Sequence, residues 1–280
     1  MKKIFVLLMI LTLGLMTGCG GEKTPPPAKN KATIGVIAHL NAGEERYNQV
    51  MSKLEKSYRP SKANLTADYK YFNNMRDMQL ALDSGQIDML STYQSVADYM
   101  LQKNPDMEIV KSERVMHDSF CFAVREGDTI LRNSLNKAIK AMQGDGTLEK
   151  LSKEYILDVK GGNEPPAVQI ENIPDAETIK VAVTGDLPPF DLVLADGTPA
   201  GFSTAVLAEI SKRMNKNIEL ITVESAARAS VLTSKIADVI FWVSVPKDSA
   251  LIPADIDTPE GVIISDPYYT DSIVHVELKK

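Results

Sequence analysis

The sequence predicts an α/β protein built as two lobes. Three observations carry this. Short apolar runs alternate with helix-period stripes along most of the chain. A stretch rich in Gly and Pro, 157–178, divides that alternation into two parts. A faint repeat links the parts: LDSGQIDML (Leu82 to Leu90) and LTSKIADVI (Leu232 to Ile240) each read as a helix end, a turn, and an Asp leading into a buried strand. Gly85 suits the left-handed position after the first helix. Lys235 stands at that place in the second copy, which leads us to expect a different turn there.

In chain order, Ala32 to Ala38 is a continuous apolar run of the buried-strand kind. Asn41 follows, with Glu44 and Glu45 placed to favour a helix N-terminus, and Tyr47, Val50, Met51 and Leu54 share a face. That strand–loop–helix entry can hold an anionic group, or Asn41 can simply cap the helix. Met75, Met78 and Leu82 form a core stripe, Ile87 to Leu90 a strand, and Val96 to Leu101 the start of a further helix. Ser119 to Arg125 is a strand. A helix bearing Leu135, Ala138, Ile139 and Met142 ends at Gly144-Asp145-Gly146, and another carries Leu148, Leu151 and Tyr155. Beyond the linker come a strand from Ile179 to Val183, a helix with Val206, Leu207, Ile210 and Met214, a strand from Ile218 to Val223, a helix ending near Ser234, and a strand from Asp238 to Val243.

The N-terminus speaks to compartment. Lys2 and Lys3 precede an apolar run from Ile4 to Met16, too short to span a bilayer comfortably, followed by Thr17-Gly18-Cys19. This resembles a lipoprotein signal over 1–18, with lipid on Cys19 and a Pro-rich tether over 19–31. The expected location is therefore outside the cytoplasm, anchored to a bacterial membrane. Cys121 is the other cysteine, so no internal disulfide is expected and a packed core must hold the fold. A net charge of -6 offers no footprint for nucleic acid. His39, His117 and His275 lack ligand-spaced neighbours, so neither a metal centre nor a cofactor is expected.

Several phrases resemble the solute-binding proteins of ABC importers, amino-acid-type family 3. These are Gly185 to Phe190, Asp196-Gly197, Gly201-Phe202, Asp238-Val239-Ile240 and Ser265 to Tyr269. The resemblance implies a type II periplasmic-binding fold, two lobes of mixed sheet flanked by helices that close by a hinge over a ligand. The pieces stand in altered order, which implies a circular permutation: lobe 2 over 32–116, a return hinge strand and closing helices over 117–156, the linker, and the body of lobe 1 over 179–280. A monomer follows, or a swapped dimer through the long linker.

By the same resemblance, Asp186, Phe190, Trp242, Val243 and Ser244 of lobe 1, and Asn41, Ala42 and Tyr93 of lobe 2, are the candidate ligand contacts. Phe190 either stacks on the ligand or packs the core, and Trp242 either walls the cleft or is buried. The family's usual clamps for a zwitterion are missing: no arginine follows the strand ending near Val243, Lys247 being only a point charge. Tyr93 replaces the usual Asp, and Ser203 stands where another is frequent. The function implied is capture of a small polar or amino-acid-like solute for an ABC permease. A sensor or scaffold with a degenerate site is the alternative, and a cyclohexadienyl-dehydratase-like enzyme a weaker one, since no set of catalytic acid and cationic anchors can be picked out. We expect a binding protein and not an enzyme.

Overall fold

The computed structural model describes residues 31–38, 40, 44–58, 66–111, 115–247, 252 and 254–279. The signal region, Cys19, Asn41 and Ala42 lie outside them.

The first part of the chain runs β1 (Lys31–Ile37), α1 (Glu44–Tyr58), β2 (Thr66–Phe72), α2 (Met75–Asp83), β3 (Met89–Tyr93), α3 (Gln94–Lys103) and β4 (Met107–Ile109). Then β5 (Met116–Arg125) leads to α4 (Thr129–Gly144), α5 (Thr147–Ser152) and a wider π turn, Lys153–Leu157. The second part holds β6 (Thr178–Val183), β7 (Asp186–Leu187), β8 (Asp191–Val193), β9 (Pro199–Ala200), α6 (Phe202–Met214), β10 (Asn217–Thr222), α7 (Arg228–Thr233), β11 (Val239–Pro246), β12 (Val262–Ile264) and β13 (Tyr269–Leu278).

Pairing makes the two parts copies of one plan. The first sheet reads β2-β1-β3-β13-β4, and the second reads β10-β6-β11-β5-β12. In each, three parallel strands are followed by one antiparallel strand that the chain supplies while crossing between halves, then a short antiparallel edge. The two crossing strands also pair with each other, Tyr269 opposite Phe120 and Ile273 opposite Met116, so one sheet runs through both halves. This mixed sheet, with helices on its faces, is the expected α/β class. Val276 and Gly35 flank Leu90 from opposite sides, which sets the two ends of the described chain about 10 Å apart at that register.

The repeated phrase has the same geometry twice, contrary to the expectation for Lys235. Gly85 has φ 71° and Lys235 has φ 63°. Gly85 N–H donates to Leu82 O and Lys235 N–H to Leu232 O, while Ile87 and Ala237 N–H reach back to Ala81 O and Val231 O. The following Asp then ties the turn to the neighbouring strand: Asp88 Oδ2 accepts from Thr33 N–H at 2.9 Å, and Asp238 Oδ2 from Lys180 N–H at 3.0 Å. The three such bonds at the second turn outweigh the roughly 1–2 kcal/mol that a left-handed lysine costs.

The core follows the helix stripes. Met75, Met78 and Leu82 of α2, and Leu135, Ala138, Ile139 and Met142 of α4, are all buried. Residues 157–178 do not swing free of the second half. Val159 and Val168 are buried, Val168 N–H donates to Pro199 O, and Asn217 bonds Ile173 through both its amide atoms.

Candidate functional site

A cavity of about 110 Å³ opens between the halves, where the crossing strands meet. The first half contributes Tyr47 of α1, Tyr69 of β2 and Tyr93 at the end of β3. The second contributes Arg228, Trp242, Ser244 and Asp257. The crossing strands themselves add Asp118 from β5 and His275 from β13.

Trp242 reaches the cavity because β11 is bulged. Ile240 pairs with Ala123 and Val243 with Cys121, so one strand advances three residues while the other advances two. Simple alternation would put Trp242 on the face of Ile240 and Val243 on the opposite face. The bulge resets the alternation. Val243 joins Ile240, Leu40 and Leu232 in a small separate cluster, and Trp242 faces the other way. Of the three residues expected here, Trp242 and Ser244 line the cavity and Val243 does not.

Trp242 is only 8% exposed, and its Nε1 is buried without a hydrogen-bond partner. Its ring carries the guanidinium of Arg228, 4.2 Å from the ring centre. Arg228 is 2% exposed, among the most deeply buried large side chains. It donates through Nη1 to Trp242 O at 2.6 Å, through Nε to Ser225 O at 3.1 Å, and through Nη2 to Ser225 Oγ at 2.9 Å. Burial lowers its pKa, and Asp257 is first among the neighbouring charges that oppose the shift.

Tyr93 links the halves. Its ring meets Trp242 edge-on at 6.5 Å, and its hydroxyl donates to Asp118 Oδ2 at 3.3 Å. Burial, then the Asp118 charge, raises its pKa well above the ordinary phenol value. Burial also lowers the pKa of His275, so its imidazole is neutral at pH 7.

Two expected contacts lie elsewhere. Phe190 is 1% exposed and packs among Phe120, Phe202 and Tyr269; within its motif it is Leu187 that faces the cavity. The corner is tight: Gly201 crosses so close behind it that a Cβ there would sit 2.6 Å from Phe190 O. Asp186 is not in the cavity wall either. Its Oδ2 accepts from Met75 N–H at 2.7 Å, joining β7 of the second half to the start of α2 in the first.

The sequence reading missed Arg228, Asp118, Asp257 and Tyr47 as site residues. Arg228 stands in an otherwise small and apolar helix, four residues before the buried Leu232. That spacing puts it on the inward face, and it was the available signal.

Residues 179–248 match the sequence profile of bacterial extracellular solute-binding proteins, family 3. Over these residues the chain is similar to that family. The matched residues include Arg228, Trp242 and Ser244 of the cavity wall. A stretch of 54 residues is 44% identical to the histidine-binding periplasmic proteins of Salmonella typhimurium and of Escherichia coli K12, covering 19% of this chain and 21% of theirs. The chain thus matches about a fifth of the length of these curated relatives. Among solved structures, the ligand-binding component of an ABC-type import system from Staphylococcus aureus overlaps 89% of this chain and 66% of its own, at TM-score 0.42 and 15% identity. A nutrient-binding protein from Burkholderia cenocepacia bound to methionine overlaps 88% and 84%, at TM-score 0.40 and 13% identity. No helix among the described residues is long and apolar enough to cross a membrane.

Proposed function

We propose that the protein is an extracytoplasmic binding protein that captures a small solute between its two halves and presents it to an ABC permease. One observation carries the reading: a cavity walled from both halves at the crossing strands and lined by a buried guanidinium, two carboxylates and the Trp242 ring. An arrangement of few polar groups in an otherwise apolar cavity is what a solute site requires. Attachment through a lipid on Cys19 and a location outside the cytoplasm go with it, supported by the apolar leader and by the periplasmic relatives. We read the site as one for binding and not catalysis.

The chain order is read as a circular permutation of the two-lobed plan. The short distance between Gly35 and Val276 supports this, because the ends could be joined there and the chain opened within 157–178 without disturbing a strand.

Trp242 is the single tryptophan of the chain. Its fluorescence therefore reports on the cavity alone. Titration with a panel of amino acids, amines, small acids and nucleosides should change the emission for at least one class, with a matching rise in melting temperature. A flat response across the panel in both measurements would refute the reading.

A further inference from the structure

We propose that Arg228 and Ser225 form a latch between the halves. Arg228 is its positioning residue: the guanidinium in the cavity wall aims the Ser225 hydroxyl across to the first half, which ties the wall to closure. The latch rests on the solute-binding reading for what closure serves, while its geometry involves no solute.

Ser225 opens the short turn Ser225–Ala227 ahead of α7 and is 1% exposed. The hydrogen bonds that meet on it divide by half. Within the second half, its carbonyl accepts from Arg228 Nε at 3.1 Å and its Oγ accepts from Nη2 at 2.9 Å. Toward the first half, its N–H donates to Asn73 O at 3.1 Å and its hydroxyl donates to Ala38 O at 3.1 Å. Ala38 follows β1 and Asn73 follows β2, so both acceptors are carbonyls at strand ends of the first sheet.

The direction of these bonds follows from the partners. A guanidinium only donates and a carbonyl only accepts. Nη2 therefore takes a lone pair of Ser225 Oγ, and the single hydroxyl proton is left for Ala38 O. Because one planar edge of Arg228 grips both Oγ and the carbonyl of the same residue, it fixes the hydroxyl relative to its own backbone. Arg228 is fixed in turn by Trp242, through Nη1 to Trp242 O at 2.6 Å and through its stacking 4.2 Å from the ring centre. Arg228, Trp242 and Ala38 line the cavity, and Ser225 stands behind that wall. The chain of contacts thus runs from the wall of one half to the wall of the other.

A second bond crosses at the same rim, from Met75 N–H to Asp186 Oδ2. Met75 and Ser225 are each the first residue of a helical turn, where an amide has no acceptor within its own helix. Both amides are held across the gap, and a single opening of the rim releases both.

Hydrogen exchange reads the latch with no solute added. In the wild-type protein the Met75 and Ser225 amides should show protection factors that agree within about tenfold, as members of one opening unit. Ser225→Ala should lower the protection of Met75 by about tenfold or more. Arg228→Lys leaves the serine and both its acceptors in place, yet one ammonium cannot grip Ser225 at two points and hold Trp242 O as well. It should lower both amides by a similar factor, and the double variant should fall no further than the larger single effect. A gap of more than about tenfold between the two wild-type amides overturns the latch, whether or not any variant folds. So does Arg228→Lys with both amides at wild-type protection, or a double variant whose effects add. No step depends on a solute, so a flat titration panel would refute the solute-binding reading and leave these rates to decide the latch.

Discussion

The carboxylate of Asp186 accepts a 2.7 Å hydrogen bond from the backbone N–H of Met75, and these two residues belong to different halves of the molecule. Close by, Ser225 N–H donates to Asn73 O and Ser225 Oγ to Ala38 O. The three bonds fasten one rim of the cavity. Asp186→Ala removes the strongest, leaving the first N–H of α2 without its acceptor. We expect the closed arrangement to lose about 1–2 kcal/mol. Hydrogen exchange at the Met75 amide should accelerate accordingly; an unchanged rate would show that the halves are held by other contacts.

The paired turns give a test of backbone strain with little packing involved. A Cβ at Gly85 would meet nothing within 4 Å, so Gly85→Ala should cost about 1 kcal/mol through the left-handed conformation alone. Lys235→Gly makes the reverse change at the matching place and should stabilise by a similar or smaller amount. Urea unfolding of the two variants checks both signs at once.

Asp191 predicts a pH dependence. It is buried, and its Oδ2 accepts from Thr184 N–H, Thr184 Oγ1–H and Gly185 N–H. Burial nevertheless raises its pKa from 3.8 to about 6, against the lowering effect of those bonds. The folded protein thus holds this proton where the unfolded chain releases it. The contribution to stability is full below pH 4 and is lost as pH rises through 6. Relative to Asp191→Asn, which cannot titrate, the wild type should lose on the order of 3 kcal/mol across that window. Parallel stability curves for the two proteins between pH 4 and 7 would remove the assignment.

Cys121 sits in β5, 2% exposed, with its thiol pushed up to about 12 by burial. In the folded protein it should resist a thiol reagent at pH 8 by several orders of magnitude relative to a free cysteine, because so little thiolate is present and the path is closed. Modification should appear only with unfolding, at a rate that follows denaturant concentration.

Most of the fold was legible because burial and period agree in the sequence. The stripes of α2 and α4 are buried in those helices, and the expected strands stand within three residues of the observed ones. The second turn was misjudged at Lys235 because propensity argues from one residue, while the turn is held by bonds to Val231, Leu232 and Lys180 at other points of the fold. The site was legible only in part. Trp242, Ser244 and Tyr93 do line the cavity, yet nothing in FWVSV announces the bulge that separates Trp242 from Val243. Phe190 packs with Phe120, Phe202 and Tyr269, which lie far from it in the chain or outside its motif, and Asp186 was taken by a helix start more than a hundred residues away. Contacts between residues far apart in the chain, such as Asp257 near Arg228, leave no trace in local pattern.

The strand β13 lies inside the first sheet, between β3 and β4, although β4 ends at Ile109 and β13 begins only at Tyr269. On the ribosome, then, the first hundred residues must wait: β4 has its partner only when Val276 to Leu278 emerge. Until then Leu90 and Met107 expose the edges that β13 will cover. A nascent chain that stalls before Tyr269 would present the first sheet unfinished, and chaperones have the whole time of synthesis in which to find it.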